Sequence, residues 1–259
     1  MQHIFTLYFD MKILLRIKYL GTSFCGWQYQ PNARTVQNTL TEAAEKMFGE
    51  RCNITGCSRT DSGVHANDFC ATVELSSMAN KIPLDRIPTA FSKHLPSDVA
   101  VVAAAAVSDN FHPRYDVKYK EYIYKIHVGS VSDPFLYGRV WHYDRRLCEN
   151  AVALMNECAS ALVGKHNFAS FMAAGSKIED TVRDVKYCTV CRDGDIITVK
   201  IAADGFLYNM VRIITGTLVL AGAGKLDKDG MKNILAAKNR AAAGLTAPPD
   251  GLYLNKVEY

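Results

Sequence analysis

The sequence predicts an α+β fold made of two units, and three observations support this prediction. Strand-like and helix-like segments follow the order β-α-β-β-α-β over residues 12–107. This order is that of the split ferredoxin-like unit. A similar succession of elements returns after residue 108, although no close sequence repeat is visible. With 259 residues, the chain can form one large domain or two of ordinary size.

The first half contains the strongest helix signal. Apolar residues recur at helical spacing between Thr35, which begins the helix, and Gly49, which ends it. We predict that residues 11–108 form an N-terminal subdomain and that residues 1–10 are an N-terminal extension. The other predicted elements are strands at Lys12–Tyr19, Cys52–Thr55, Asp68–Leu75 and Val99–Val107, and a helix from Pro83 to about Leu95.

The second half, residues 109–259, is predicted to form a C-terminal α/β subdomain. Tyr122 and Tyr124 are expected on one face of its first strand, because successive side chains of a strand point to opposite faces. Asp193-Gly194 is predicted to be a hairpin turn. The predicted elements are strands at Tyr119–Val128, Thr181–Cys191, Ile196–Ala202 and Leu252–Tyr259, and helices at Leu147–Leu162, Phe206–Leu220 and Met231–Ala237.

The composition is that of a folded globular protein. Hydrophobic residues make up 49% of the chain and charged residues 22%, which excludes the disordered and fibrous classes. The net charge of +4 permits an anionic partner but does not require one. The most apolar run, Phe206 to Gly224, contains Arg212, and an arginine near the centre of a membrane costs about 2.5–3.5 kcal/mol. We therefore predict a buried helix there and no membrane partner.

Cysteine usage and two short motifs imply no metal and no small-molecule cofactor. The chain has eight cysteines, but residues 1–10 lack the features of a signal peptide, so reduced thiols and a cytosolic location are predicted. Cys188 and Cys191 form a CxxC pair, yet no second pair completes the roughly four ligands of a zinc site. Ala221–Lys225 resembles the end of a phosphate-binding loop, but Val219 stands where the first glycine is needed.

The residues from Gly56 to Ala66 have no apolar periodicity and lie between two predicted strands. Asp61 is followed by Ser62-Gly63, a context that favours a turn. Arg59 lies two positions earlier, and a tight loop between strands can hold such charged groups on a rigid frame. On these residues alone, an ordinary turn with a solvated Arg59 remains the alternative.

Residues Ser58–Ala66 closely resemble the signature loop of the TruA family of tRNA pseudouridine synthases. Ser58 stands where that loop usually has glycine. Because serine disfavours positive φ, either the turn does not need that conformation or its local geometry differs. Four further segments resemble the family in the same order, which is more specific than any one motif: Tyr19-Leu20-Gly21 with Gly26-Trp27-Gln28, Phe111-His112-Pro113-Arg114 with Tyr122, Gly205-Phe206-Leu207 with Met210-Val211-Arg212 and Gly216, and Thr246-Ala247-Pro248-Pro249 with Gly251-Leu252-Tyr253-Leu254.

This resemblance implies both a fold and a function. Two ferredoxin-like or RRM-like halves would fuse into one mixed, mostly antiparallel central sheet, with helices packed on it and a catalytic cleft between the halves. The expected enzyme is an isomerase that converts uridine to pseudouridine at positions 38, 39 and 40 in the anticodon stem-loop of tRNA. It would extrude the target base by base flipping, use an aspartate and no cofactor, and act as a cytoplasmic homodimer.

Three residues match the family's catalytic positions. Asp61 matches the catalytic carboxylate; whether it attacks a carbon, by Michael addition or acylal formation, or removes a ribose proton to give a glycal stays open. Arg212 matches the arginine that pairs with this carboxylate, and a structural carboxylate is its alternative partner. Tyr122 matches the tyrosine that stacks on the target uracil and is a candidate for removing the C5 proton. On pattern alone it is a core tyrosine like Tyr119 and Tyr124.

Three further expectations concern substrate contacts. Arg59 matches the residue that inserts as the target base leaves the stack, and Leu252 matches the apolar floor beneath the base. Arg114 ends the Phe-His-Pro-Arg segment and is expected to contact the RNA. Cationic side chains more often are simply solvated at a protein surface. Clustered among aromatic side chains, however, they suit the binding of a folded RNA. The candidates are Arg114, Lys118, Lys120, Arg139, Arg145, Arg146, Lys165 and Arg183.

Two other functions stay open at this point. An RNA-binding protein that has lost catalysis would be expected to lack Asp61, Tyr122 or Arg212, and all three are present. A hydrolase that uses Asp61 with His65 or Asp68 would need a metal or a nucleophile, and no convincing constellation is visible. We expect His65 to be structural.

Overall fold

We describe residues 11–75, 82–176 and 178–259 of the protein from a computed structural model. They form two compact units, one that ends at Val117 and one that spans Lys118–Tyr259. Both units combine helices with mostly antiparallel strands, which confirms the predicted α+β class. The predicted N-terminal extension, residues 1–10, lies outside the described residues.

The first unit has the element order that the sequence predicts. Its elements are β1 (Met11–Tyr19), α1 (Val36–Phe48), β2 (Asn53–Gly56), β3 (His65–Leu75), α2 (Ile87–Ser92) and β4 (Val99–Val107). The strands lie in the order β4-β1-β3-β2, and every neighbouring pair is antiparallel. This is the split ferredoxin-like arrangement.

The predicted limits of α1 are confirmed by its caps. The Thr35 hydroxyl accepts a hydrogen bond from the Asn38 backbone N–H at 3.3 Å, which satisfies one of the donors left over at a helix start. Gly49 ends the helix in the left-handed conformation, with φ 75°. Between these caps, the apolar face that includes Leu40 and Ala44 is buried.

The second helix of this unit is shorter than predicted. The chain forms a 3₁₀ turn over Leu84–Arg86 and only then α2, instead of one helix from Pro83 to Leu95. Pro88, near the start of α2, gives a physical reason for the late start, because it has no backbone N–H to donate to the Leu84 carbonyl and so the α-helical bonds cannot extend back through the 3₁₀ turn.

The second unit repeats this strand order with additions. Its elements are β5 (Tyr119–His127), β6 (Trp141–His142), α3 (Ala151–Ser160), β7 (Gly164–Asn167), β8 (Val182–Asp193), β9 (Ile196–Ala203), α4 (Met210–Gly222), α5 (Lys228–Ala237) and β10 (Leu252–Glu258). The strands lie in the order β10-β5-β9-β8-β7, with antiparallel neighbours, and β6 runs parallel to the end of β5. The order β10-β5-β9-β8 matches β4-β1-β3-β2 of the first unit.

Several predicted limits in this unit are wrong. Helix α3 begins at Ala151 rather than Leu147, because the backbone of Asn150 is not helical (φ −91°, ψ 22°); before it, the Cys148 N–H donates to the Gly222 carbonyl at 2.9 Å. Helix α4 begins at Met210 rather than Phe206, because Asn209 has φ 59° and a right-handed helix cannot include that conformation. Strands β6 and β7 were not predicted; they are only 2 and 4 residues long.

The predicted hairpin turn is shifted by one residue. Asp193 pairs with Ile196, so the turn consists of Gly194 and Asp195 rather than Asp193-Gly194. Gly194 has φ 54°, which suits the first central position of a type II′ turn.

The apolar run that the sequence analysis assigned to a buried helix is α4. Nearly all of its residues are buried, including Thr215 and Thr217, whose hydroxyls donate to backbone carbonyls one turn earlier at 2.9 and 2.8 Å. In the described ranges no helix has both the length and the apolar character that a membrane span requires.

Candidate active site

Asp61 lies in the connection between β2 and β3, which runs from Cys57 to Val64. The Val64 N–H donates to the Asp61 carbonyl at 3.2 Å, and Gly63 within this turn has φ 81°. The turn predicted at Asp61 is therefore present and needs glycine at its third position. Asp61 itself is half-buried.

Residue Thr60, just before Asp61, is held by two distant segments. Its hydroxyl is hydrogen-bonded to the Tyr19 hydroxyl at 2.8 Å, and both groups are buried. Its carbonyl accepts from the Trp27 N–H at 3.1 Å. Gly26 has φ 84°, and a Cβ there would lie 2.6 Å from the Thr60 carbonyl oxygen. The two short motifs at Tyr19 and Gly26 thus form part of the frame of the Asp61 loop.

The other side of the loop is bonded to Phe24. The Phe24 carbonyl accepts hydrogen bonds from the Gly63 N–H and from the Ser62 hydroxyl, both at 3.2 Å. Gly21 lies so close to the loop that a Cβ on it would be 2.0 Å from the Val64 carbonyl oxygen. These contacts restrain the backbone on both sides of Asp61.

His65 follows the loop and is fully buried. Its Nδ1 accepts a hydrogen bond from the Gly21 N–H at 2.9 Å. A buried imidazole that accepts a backbone bond holds two chain segments together, so its geometry agrees with the structural role expected from the sequence.

The substitution of serine for the family's usual glycine causes no backbone strain. In the part of the chain that the structure describes, the non-glycine residues with positive φ are Asn32, Asn209 and Lys238, and Ser58 is not among them. The loop therefore does not need the left-handed conformation at this position. The neighbouring Arg59 is exposed to solvent.

Tyr122 and Leu252 belong to neighbouring strands of the second unit. Tyr122 pairs with Leu254, and Leu252 pairs with Tyr124, so all four side chains lie on one face of the β5–β10 ladder. Tyr122 and Leu252 are both buried. The Tyr122 ring also contacts another aromatic ring, Phe206, edge to face, with centroids 4.9 Å apart.

Arg212 lies in the first turn of α4 and is half-buried. Its Nε donates to the Ala247 carbonyl at 2.7 Å, and its Nη1 donates to the Asn209 side-chain oxygen at 2.7 Å. These two bonds fix the plane of the guanidinium. A cation is unfavourable at a helix N-terminus, so these bonds hold the guanidinium in a position that the helix dipole disfavours.

The segment before β10 is fixed by a buried tyrosine as well as by Arg212. The Tyr124 hydroxyl donates to the Pro248 carbonyl at 2.6 Å. Burial raises the pKa of Tyr124 well above that of an exposed tyrosine, although the nearby Arg212 charge lowers it in part. Tyr124 therefore stays neutral and holds the backbone next to Ala247.

Arg114 occupies an exposed turn of the first unit. The His112 Nδ1 accepts from the backbone N–H groups of Arg114 and Tyr115 at 3.1 and 3.3 Å. The His112 ring also stacks on Tyr115, with centroids 4.2 Å apart. The turn is thus ordered by local bonds, and it presents Arg114 to solvent.

The sequence-predicted site residues divide between the units. Asp61 and Arg59 share one loop of the first unit, while Tyr122, Arg212 and Leu252 belong to the second.

Sequence reasoning assigned no role to several residues that hold these site residues in place. Asn209 carried a usable signal, since asparagine adopts positive φ more easily than most residues. The carbonyl of Phe24 carried none, because a backbone acceptor has no sequence signature. The missed residues are Phe24, Thr60, Tyr124, Phe206, Asn209 and Ala247.

All eight cysteines are free thiols. Cys188 is buried and Cys191 is exposed, because residues three apart on a strand lie on opposite faces. Across the described ranges, no group of three or more His, Cys, Asp or Glu side chains is arranged to hold a metal ion.

Comparisons with known proteins agree with one another. A family model described as tRNA pseudouridine synthase matches residues 16–116 and 158–259. A tRNA pseudouridine synthase A of Thermoanaerobacter sp. (strain X514) is 43% identical over 247 residues, 95% of this chain and 99% of that protein. The protein of the same name from Ruminiclostridium cellulolyticum is 40% identical over 249 residues, 96% of this chain and 99% of its own. The protein of the same name from Halalkalibacterium halodurans is 41% identical over 242 residues, 93% of this chain and 90% of its own.

Proposed function

The chain belongs to the TruA family of tRNA pseudouridine synthases, and from this membership we propose that it isomerises uridine to pseudouridine at positions 38, 39 and 40 of the tRNA anticodon stem-loop. The observation that carries the proposal furthest is the Asp61 loop. Its carboxylate-bearing turn is restrained through Thr60, Ser62 and Gly63 by segments distant in sequence. Such restraint suits a group that must act on a positioned substrate.

The reaction balances without an oxidant or a cofactor. The bond from ribose C1′ to uracil N1 breaks, the base rotates, and C1′ bonds to C5 instead. N1 gains a proton, and C5 loses one. The protein must therefore supply a carboxylate beside the ribose, a group that accepts the C5 proton, and a pocket that holds the detached base.

We assign the carboxylate to Asp61 and its counter-ion to Arg212. A guanidinium grips a carboxylate through two parallel hydrogen bonds and favours its charged form. The bonds from Arg212 to Ala247 and Asn209 support this role, since they fix the orientation of the guanidinium before any partner is considered.

We assign recognition of the base to Tyr122, Leu252 and Arg59. Tyr122 would stack on the uracil and take part in removing the C5 proton, and Leu252 would form an apolar floor. The exposed Arg59 would enter the space that the base leaves in the RNA stack. Extrusion of a base costs a few kcal/mol, which such contacts offset.

The RNA partner is proposed to be held by cations and exposed rings. Arg114, with the exposed Tyr115 beside it, offers one such combination. Phe135 and Tyr137 are also exposed, and Arg139 follows them. Aromatic rings that stack on unpaired bases, next to cations that contact phosphates, suit a folded RNA. The enzyme is further proposed to work as a homodimer in the cytoplasm.

The test is Asp61→Asn, with Asp195→Asn as the matched control. Asp195 lies in the hairpin that joins the equivalent strands of the second unit, and it is exposed. With tRNA labelled with tritium at C5 of uridine, Asp61→Asn should release no tritium although it still binds tRNA, and Asp195→Asn should turn over normally. Near-normal turnover by Asp61→Asn would contradict the assignment. Binding without any turnover by the parent protein would favour an RNA-binding protein, and strand cleavage a hydrolase.

A further inference from the structure

The Phe24 carbonyl is a direct anchor of the Asp61 turn, since it accepts from both the Gly63 N–H and the Ser62 hydroxyl at 3.2 Å. Its ring is 2% exposed. Phe24 lies in the long connection between β1 and α1, residues 20–35, whose regular structure is one 3₁₀ turn at Gly21–Ser23. The position of the anchor therefore depends on what holds this connection in place.

Arg34 and Asp98 bond to the backbone of that connection on either side of Phe24. The Leu20 N–H donates to the Asp98 carbonyl at 2.9 Å, and the Cys25 N–H donates to the Arg34 carbonyl at 2.8 Å. Between these points, the Arg34 guanidinium lies over the Phe24 ring, with Cζ 4.0 Å from the ring centroid.

The Arg34 guanidinium is itself fixed by Asp98. Its Nη1 and Nη2 donate to the two carboxylate oxygens at 2.8 and 2.9 Å, the paired geometry that a guanidinium supports and an ammonium does not. Hydrogen bonding to Asp98 also raises the pKa of Arg34 above its ordinary value. The guanidinium is thus held over the Phe24 ring.

We propose that Arg34, locked by Asp98, is a positioning residue that acts on Asp61 through Phe24 and the Ser62-Gly63 turn. This inference rests on the proposed function, because it assigns Arg34 a part in the same reaction. Arg34 would touch neither the base nor the ribose. It would fix the carbonyl to which the catalytic turn is bonded.

The exposure of the pair separates positioning from general stability. The Arg34 and Asp98 side chains are 42% and 23% exposed, so solvent screens the pair, and its contribution to folding should be modest even with the paired geometry. A catalytic group displaced by about 1 Å, in contrast, can lose about 10²-fold in rate. Removal of the Arg34–Asp98 pair should therefore change the reaction rate far more than the stability of the fold.

The experiment compares Arg34→Lys, Arg34→Ala and Asp98→Asn with the parent protein. We expect Arg34→Lys to lower the single-turnover rate at saturating tRNA by about tenfold and Arg34→Ala by more, with tRNA affinity and melting temperature nearly unchanged. The double variant Arg34→Lys/Asp98→Asn should be no slower than the slower single variant, because the two residues act as one unit. Glu74→Gln, which breaks the Lys12–Glu74 ion pair between β1 and β3, is the control and should keep the parent rate.

Hydrogen exchange supplies a readout that does not depend on activity. The Gly63 amide, bonded to the Phe24 carbonyl, should exchange faster in Arg34→Lys than in Glu74→Gln. Unchanged exchange at Gly63, or a rate for Arg34→Lys within about twofold of the parent, would overturn the inference. Failure of the proposed function is a separate result, because it would show as no tritium release by the parent protein, and failure of the Asp61 assignment would show as tritium release by Asp61→Asn.

Discussion

The β2–β3 and β8–β9 connections join equivalent strands of the two units, yet they are built in opposite ways. The β8–β9 hairpin turns on Gly194 and Asp195 alone, both of which are exposed, and no atom lies near enough to Gly194 to contact an added Cβ. The β2–β3 connection runs from Cys57 to Val64 and buries both of these end residues. One connection is a turn that closes a hairpin, and the other is a folded loop.

The difference lies in where the backbone groups find their partners. A hairpin turn of two residues is specified by local chemistry, here glycine at a left-handed position. A longer, partly buried loop must satisfy its N–H and C=O groups with protein partners. In the Asp61 loop, Phe24 and Trp27 supply those partners from a distant part of the chain, and the Tyr19 hydroxyl adds a bond to the Thr60 side chain. The same strand order therefore carries a catalytic candidate only where distant segments support the loop.

The largest effect that would sharpen this comparison concerns Arg212. If the second unit contributes through α4 and not through its hairpin, Arg212→Met should lose about 10²-fold or more in rate. If Arg212 pairs with the catalytic carboxylate as proposed, its removal takes away an electrostatic contact of about 3 kcal/mol in the transition state, which corresponds to about 10²-fold in rate. Arg212→Lys keeps the charge but not the paired geometry, so it should lose much of the activity too. Tritium release is the measurement.

The control for Arg212 is Arg192→Met in the hairpin strand. Arg192 forms an exposed ion pair with Asp195 at 3.8 Å, and such pairs contribute little. Full activity in Arg212→Met, or an equal loss in Arg192→Met, would break the distinction between the two elements.

The second effect concerns the glycines of the two connections. Gly26→Ala should destabilise the protein by about 1–3 kcal/mol, since alanine would be strained at φ 84° and its Cβ would meet the Thr60 carbonyl at 2.6 Å. Gly194→Ala meets strain at φ 54° but open space, so its cost should be about 1 kcal/mol. Urea denaturation measures both.

Activity should separate these two glycine variants further. Gly26→Ala displaces the residue next to Asp61 and should slow turnover of the folded protein, whereas Gly194→Ala should not. If Gly26→Ala and Gly194→Ala lost the same free energy of unfolding and kept the same turnover rate, the Asp61 loop would tolerate displacement as well as a simple hairpin does.

The sequence predicted features that depend on local signals better than features that depend on long-range contacts. Helix α1 was predictable because its caps, Thr35 and Gly49, are local signals. The late start of α2 was also predictable, because Pro88 is a local signal, but the sequence analysis did not use it. The start of α3 was not, because Cys148 bonds to a carbonyl far along the chain, at Gly222.

The residues of the candidate site show the same difference between features with a sequence signal and features set by the fold. Asp61 could be singled out because its loop resembles the family's signature loop, and Arg212 because it matches the family's arginine and is also conspicuous in an apolar helix. The carbonyl of Phe24 and that of Ala247 could not, because any residue supplies a carbonyl and only the fold decides what it bonds. Their roles became visible only with the hydrogen bonds of the folded chain.

The smallest effect concerns a single hydroxyl in the support of the Asp61 loop. Tyr19→Phe removes the 2.8 Å bond to Thr60 and should cost about 0.5–1.5 kcal/mol of stability, the usual net value of one hydrogen bond. Tyr253→Phe is the control, because its hydroxyl donates to the Arg139 carbonyl at 2.6 Å and it lies in the other unit. Both variants should therefore lose similar stability in urea. At saturating tRNA, only Tyr19→Phe should also turn over more slowly, by about two- to fivefold, since a slight shift of Thr60 moves the neighbouring Asp61. If both variants kept the parent rate, the Tyr19 bond would support the fold without helping to position the carboxylate.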